Sequence, residues 1–430
     1  MPQPSRRSQL IPLSPIRAMF RLADEMERAG GDPIIRLHVG DPDFAPPDAV
    51  IEATTRAMRE GKTHYPPSVG IQELRAALAK KVVGKNGIAA ATEQIVVTPG
   101  STEALLAAME IALHPGDEIL LPEIYWPNYL QQTLIASAKP VFYPLGAGYQ
   151  PEVEGVRRAV TPRTKVILIN SPSNPTGAVI PETTLRALFA IARERDLWVI
   201  SDEAYEDIVF DAAHVSPGAF ERDLPETERR VFSLYTFSKS YAMTGFRLGY
   251  IAAPSHLIGT ILRKLQEPLV ASTATPIQWG GLAALPDDAS IARMRDAYRR
   301  RRDTAISILR PAGLVDYTPE GAFYILADVS STGLSADEFA LRLLQEQRVA
   351  VAPASGFALA PTFGPDGLPV GDMTATGAPD YPIHPKARTS VRIAFCVSDE
   401  ELCEGLTRLV RLVDSCRAAR GASADVATRG

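Results

Sequence analysis

Three cysteines in 430 residues, all in the last tenth of the chain (Cys396, Cys403, Cys416), leave no material for a disulfide framework. An odd count without close pairs is the pattern of reduced, buried thiols. Six histidines are scattered, and none stands near another His or Cys at ligand spacing, so no metal site is expected. No long basic run offsets the net charge of -5, which argues against nucleic-acid binding. No stretch approaches the roughly 20 apolar residues of a membrane span. The early pair Arg6-Arg7 precedes Ser8-Gln9-Leu10-Ile11-Pro12, too short and too proline-broken for a signal-peptide core. These absences describe a cytoplasmic chain, with neither nucleic acid nor membrane as partner.

What is present is ordinary for a globular protein: 46% hydrophobic and 22% charged residues. The length exceeds what one core organises well, so one large or two intimate domains are expected. No internal repeat is found. Short apolar, β-branched runs at 94–98, 118–121, 140–144, 165–169, 197–201, 231–235 and 247–252 alternate with helical patterns such as 102–113 and 182–196. Continuous runs such as Val-Ile-Leu-Ile suit strands covered on both faces. The helical links are long enough for crossovers between parallel strands, except from Tyr235 to Arg247, so the last strand is expected to run antiparallel. The expectation is a three-layer α/β/α domain with a seven-stranded, mostly parallel sheet at 48–285. A smaller α+β domain is expected at 286–430, joined by an N-terminal segment at 1–47. The Arg-rich stretch 291–309 would connect the two. Residues 360–387, rich in Pro and Gly, read as an insertion loop, and 417–430 as a frayed end.

In an open parallel sheet, ligands lie beyond the carboxyl ends of the strands, so the residues that follow each run matter most. The first is followed by Pro99-Gly100-Ser101-Thr102-Glu103, a glycine turn opening a helix, which suits a phosphate or is an ordinary turn with Ser101 as N-cap. Tyr125-Trp126 follows the second run, where a flat ring could stack, although such a pair is more often core. The fourth leads into Asn170-Ser-Pro-Ser-Asn174-Pro-Thr-Gly177, and the fifth ends in Asp202 with Tyr205 close behind. An acid at the end of a buried strand favours a cationic partner. After the sixth come Thr236, Ser238, Lys239, Gly245 and Arg247. Together these residues meet the requirements of pyridoxal 5'-phosphate (PLP): an amine for the aldehyde, a guanidinium and a helix N-terminus for phosphate, and a carboxylate that keeps the pyridine nitrogen protonated. A phenol and an amide can serve the ring hydroxyl.

The segment Thr236-Phe-Ser-Lys-Ser-Tyr-Ala-Met-Thr-Gly-Phe-Arg-Leu-Gly249 is similar to the lysine signature of the class I/II aminotransferases, PLP fold type I. The resemblance runs from about Ser14 to Cys416 in the right order. It includes Gly40-Asp-Pro-Asp-Phe44, Tyr65 with Gly70 and Leu74-Arg75, Asn174-Pro-Thr-Gly177, Asp202 with Tyr205, Gly321-Ala-Phe-Tyr324 and Ser390-Val-Arg392. The ordered set is specific where its members singly are not. It implies that Lys239 is the Schiff-base lysine and proton carrier, and that Asp202 pairs with the ring nitrogen. Tyr205 and Asn174 would contact the ring oxygen, and Trp126 would stack on the ring. Ser101, Thr102, Thr236, Ser238 and Arg247 would hold phosphate, with Tyr65 reaching the phosphate site of a neighbouring subunit in a homodimer. Arg392 would clamp the substrate α-carboxylate beside Gly40 and Asn174.

Two departures stand out. Thr236 replaces the family's usual Ser or Gly, and Thr102 stands where some bacterial aspartate aminotransferases carry a lysine. The implied activity is transfer of an amino group from an L-amino acid to a 2-oxo acid by a ping-pong cycle. A fold-type I lyase, synthase or amino-acid oxidase would use the same residues. A PLP-fold sensor domain of a transcription regulator would need a DNA-binding domain ahead of it, and only about forty residues precede the Gly40 motif.

Overall fold

The computed structural model describes residues 2, 4–258, 262–374 and 379–427, without the side chains of 15 and 422–427. Its middle third builds one sheet from β1 (Ile95–Thr98), β2 (Glu118–Pro122), β3 (Lys139–Tyr143), β4 (Thr164–Asn170), β5 (Trp198–Asp202), β6 (Val231–Thr236) and β7 (Gly249–Ala252). The spatial order is β1-β7-β6-β5-β4-β2-β3. Strands β2 to β6 pair in parallel, while β7 is antiparallel to both β6 and β1. The short link through Lys239 and Gly245 dictates that reversal, because it has no room for a crossover.

The pleat sends alternate residues to opposite faces. Val166 and Leu168 of β4 pack with Ile200, Phe232 and the helix α2 (Ser101–Ala112) through Leu105, Ala108 and Met109. Their neighbours Ile167 and Ile169 meet Val199 and the helix α4 (Glu182–Glu194) through Leu185, Leu188 and Ala192. Each of the Val, Leu, Ile, Phe and Met side chains contributes about 1.5–3 kcal/mol when taken out of water. That two-sided burial is why the strands read as unbroken apolar runs. The result is the three-layer α/β/α arrangement.

A second core joins both ends of the chain. Met19 and Ala23 of α1 (Pro15–Arg28) pack with α6 (Asp288–Leu309), α7 (Ala336–Gln347), α8 (Asp399–Ala427) and a three-stranded antiparallel sheet. That sheet has the order β9 (Ala352–Pro353), β10 (Ser390–Ala394), β8 (Tyr324–Asp328).

Two expectations need correction, at the end of the chain and at Cys403, and the insertion loop gains detail. Helix α8 runs on past Cys416 to Ala427, and residues 428–430 of the end expected to fray lie outside the described residues. Arg417 donates to Ala312 O (2.9 Å) and Arg420 to Ser331 O (3.1 Å), which docks the added turns. Within the described part of 360–387, which leaves out 375–378, Thr362–Phe363 pairs with Pro369–Val370, and Asp372–Met373 with Pro379–Asp380. The segment is tied down where Tyr381 Oη donates to Leu10 O (2.6 Å) and Lys386 Nζ to Glu123 Oε1 (3.0 Å). Of the cysteines, Cys396 and Cys416 are buried, but Cys403 lies on the exposed face of α8.

Candidate active site

The carboxyl ends of β4, β5 and β6 bring Asn170, Asp202 and Thr236 to one edge of the sheet, with Asn170 in register with Asp202 and Asp202 with Leu234. Lys239 sits on α5 (Phe237–Ser240), a single turn capped by Thr236, whose Oγ1 accepts the Ser238 N–H at 3.1 Å. This cap engages the Thr236 hydroxyl locally and points Lys239 across the edge. Its Nζ donates to the Gly40 carbonyl at 2.6 Å and lies 5.7 Å from the centre of the Phe323 ring. Burial pushes the Lys239 amine down to about 8, because a charged ammonium is poorly solvated there.

Asp202 is buried, and its partners are the Tyr129 hydroxyl (2.7 Å) and the Ala204 N–H (3.2 Å). Burial raises its carboxyl to about 6, against the opposing pull of those hydrogen bonds. The cationic side chain expected beside it is absent among the described residues, so a protonated ring nitrogen would supply the missing charge. Tyr129, at the start of α3 (Asn128–Ile135), was not singled out in the sequence. The available signal was its place one helical turn after Trp126, and the two rings meet edge to face at 5.6 Å.

The glycine turn after β1 is built for close approach. Gly100 is the N-cap of α2, in place of Ser101, and has φ 84°. A Cβ on Gly100 would lie 2.6 Å from Arg247 Nη2, so the guanidinium rests against the bare backbone at the helix N-terminus. Arg247 is held by the Thr244 carbonyl (2.9 Å) and stands 3.4 Å from Ser238 Oγ. Ser101 and Thr102 occupy the first turn of α2. Free helix N–H groups, a hydroxyl and a guanidinium with no carboxylate partner among the described residues form a cradle that fits a phosphate.

On the other side lies Arg392 of β10, 1% exposed. Its Nη1 donates to Asn174 Oδ1 (3.0 Å) and its Nη2 to His38 O (2.5 Å), while Nε has no partner. The guanidinium carbon lies 4.4 Å from the Tyr324 ring centre and 4.9 Å from that of Phe357. No carboxylate among the described residues reaches it. Burying a guanidinium without a counter-ion costs several kcal/mol, so the site is short of one anion. Burial likewise drives His38 down to about 3, with Arg392 and Arg36 adding to the effect, which leaves the imidazole neutral. Tyr205 and Tyr324 share a hydrogen bond between their hydroxyls (2.9 Å). Gly40 is packed so tightly on Tyr324 that a Cβ would fall 1.8 Å from the hydroxyl oxygen.

Tyr65, expected at the phosphate site of a neighbouring subunit, stands apart from these residues. It is 89% exposed and takes no part in the hydrogen bonding around Lys239. Glu203, Glu206 and His214 bring three possible metal ligands within 4.8 Å of one another. Glu206 is paired with Lys81, and Glu203 Oε2 accepts from Ser216 and Tyr235 and meets His214 Nε2, while Glu203 Oε1 and His214 Nδ1 have no hydrogen-bond partner among the described residues.

The family model for aminotransferase class I and II matches residues 32–366. The chain belongs to that family. Among curated relatives, a probable aspartate/prephenate aminotransferase of Aquifex aeolicus is 38% identical over 95% of this chain and 98% of its own. The aspartate/prephenate aminotransferase of Thermus thermophilus is 37% identical with the same coverage. A solved structure of the Thermus thermophilus aspartate aminotransferase with maleate superposes with a TM-score of 0.84, at 36% identity, covering 96% of this chain and all of that one. The aminotransferase is PLP-dependent, an enzyme of the fold type I expected from its motifs. Among the described residues, no helix is long and apolar enough to cross a membrane.

Proposed function

We propose that the enzyme moves an amino group from an L-amino acid to a 2-oxo acid in a ping-pong cycle. The observation that carries this reading is Arg392, a buried guanidinium with no carboxylate partner among the described residues, in the region of Lys239 and Gly40. Both substrates of such a cycle bring an α-carboxylate, and one arginine serves both in turn. Bound at this edge, PLP supplies an electron sink that acidifies the Cα–H of an amino acid attached to it.

The chain's own groups do the rest. Arg392 binds the α-carboxylate through its fork, with Asn174 holding one nitrogen in plane. Lys239 Nζ takes the proton from Cα, and an amine near 8 is partly neutral at pH 7–8, as a base must be. Asp202, steadied by Tyr129, would hold the ring-nitrogen proton. Tyr205 and Asn174 would contact the ring oxygen, and Trp126 would stack on the ring. Ser101, Thr102, Ser238 and Arg247 would hold the phosphate. Thr236 acts chiefly as the cap that aims Lys239. Tyr65 serves the partner's site in a homodimer, a role supported by its exposure of 89% and by Ile51 (48%) and Met58 (49%), which are also bare. We read 48–285 as the large cofactor-binding domain, 286–430 with 1–47 as the small one, and the cytoplasm as the working compartment.

The reaction is tested on holoenzyme. An L-amino donor should convert the bound cofactor to its aminated form, read by its absorbance, and a 2-oxo acid should restore it. Ammonia or peroxide release without that cycle would sink the reading. A panel of donors against pyruvate and 2-oxoglutarate then fixes the substrates, with Thr102 in place of a lysine disfavouring aspartate. The Arg392→Lys variant keeps the charge but loses the fork. Its KM should rise about 10- to 100-fold for donor and acceptor alike, since hydrogen bonds to charged groups are worth about 1.5–3 kcal/mol. Initial-rate kinetics in both directions would check it, and an effect on one substrate only would contradict a shared site.

A further inference from the structure

The segment from Gly40 to Phe44 is held from two sides. Toward the sheet, the Gly40 carbonyl receives the Lys239 amine (2.6 Å), and Asp41 Oδ1 accepts from Thr244 Oγ1 (2.7 Å). Toward the second core, Arg301 of α6 donates Nη1 and Nη2 to the two oxygens of Asp43, each at 2.8 Å. The same guanidinium donates Nε to Asp399 Oδ1, the first residue of α8, at 2.7 Å. The rings of Phe44 and Tyr298 flank it, each 5.6 Å from its central carbon.

We propose that Arg301 is a positioning residue: by clamping Asp43 it sets the direction of the Gly40 carbonyl, and through it the place of the Lys239 amine during proton transfer. The inference rests on reading Lys239 as the proton carrier. Gly40 has no side chain to hold it, and its Cα lies flush against the Tyr324 hydroxyl, where a Cβ would sit 1.8 Å away. It can be aimed only through its neighbours. Between Gly40 and Asp43 lie two residues, and one of them, Pro42, has a locked φ, so a displacement of Asp43 is passed on to Gly40. A two-pronged clamp fixes a plane as well as a distance, which a lysine in the same place would not do. As a stability device the contact is modest: the Asp43 and Asp399 side chains are 29% and 68% exposed, and such pairs contribute about 0–1 kcal/mol. Arg301 itself is only 9% exposed at its side chain, so its geometry is well determined by packing.

The test uses Arg301→Lys, Asp43→Asn and the double variant as holoenzymes, with an α-deuterated donor. Each single variant should lower kcat about tenfold or more, leave KM within about twofold, and enlarge the deuterium isotope effect, because proton transfer becomes slower. The double variant should be no worse than either single. In the cofactor-free chain, carbamoylation of Lys239 by cyanate at pH 8, read on its peptide by mass spectrometry, should change at least threefold in rate. A kcat loss with an unchanged isotope effect, a rise in KM alone, or unchanged labelling of Lys239 overturns the proposal. Should Arg301→Lys fail to fold, Asp43→Asn carries every readout. If an L-amino donor leaves the parent enzyme's cofactor unaminated, the reaction reading fails, while the labelling of Lys239 still decides the clamp.

Discussion

Replacing Lys239 by alanine is expected to lower turnover by about 10,000-fold or more. A positioned base contributes up to about that factor, and this variant also loses the amine through which the cofactor is anchored. Folding should survive, since Lys239 makes one hydrogen bond, to the Gly40 carbonyl, and lies on a single helical turn. The measurement is the rate of the donor half-reaction in single turnover, alongside circular dichroism. In the parent holoenzyme, borohydride should fix the cofactor on the peptide that contains Lys239. Retention of a tenth of the parent rate, or label on another lysine, would remove Lys239 from its role.

The second large effect is at Asp202. In the holoenzyme, Asp202→Ala leaves the ring nitrogen without its counter-charge in a buried site. Breaking such a pair costs about 3–5 kcal/mol, which at 1.36 kcal/mol per decade amounts to roughly a 100- to several-thousand-fold loss of turnover. Retention of cofactor should suffer as well. Parent-like rates in this variant would dismiss the assignment.

In the cofactor-free chain the same carboxylate acts against stability, and its sign can be followed by pH. Its ordinary value of 3.8 is raised to about 6 in the fold, mainly by burial. Between about pH 4 and 6 the folded chain therefore holds a proton that the unfolded chain has already lost. Stability falls as pH rises through that window, by up to about 3 kcal/mol for a shift of about two units. Asp202→Asn abolishes this dependence. Without cofactor it should be more stable than the parent at pH 7, and the gap should close near pH 4. Urea midpoints at the two pH values would measure it, and a gap that widens toward pH 4 would contradict the picture. PLP should reverse the ranking at pH 7, because the buried carboxylate then gains its cation.

How much was legible beforehand depends on the range over which a feature is encoded. The seven strands, their parallel run and the reversal at β7 are local: apolar run length, link length and the pleat decide them. So are the ends of the strands, where Asn174, Asp202, Lys239 and Arg247 follow within a few residues of an apolar run. Local pattern is silent where contact decides. Residues 360–387 have no periodicity, and nothing in it tells that Tyr381 and Lys386 tie the segment to distant backbone and to Glu123. The end of α8 looks frayed until Arg417 and Arg420 find their carbonyls.

The sequence by itself determined which chemical groups the enzyme owns and at which end of the sheet they emerge, because a parallel strand covered on both faces must open at its carboxyl end. Only the tertiary structure decided how those groups are poised. Among the described residues Asp202 finds Tyr129 rather than a cation, and Arg392 is buried against Asn174, 218 residues away, with no carboxylate to meet it. Gly40 is seated on Tyr324, and Asp43 is gripped by Arg301 across 258 residues. Such contacts come from the packing of two cores against one another, and no local periodicity encodes them.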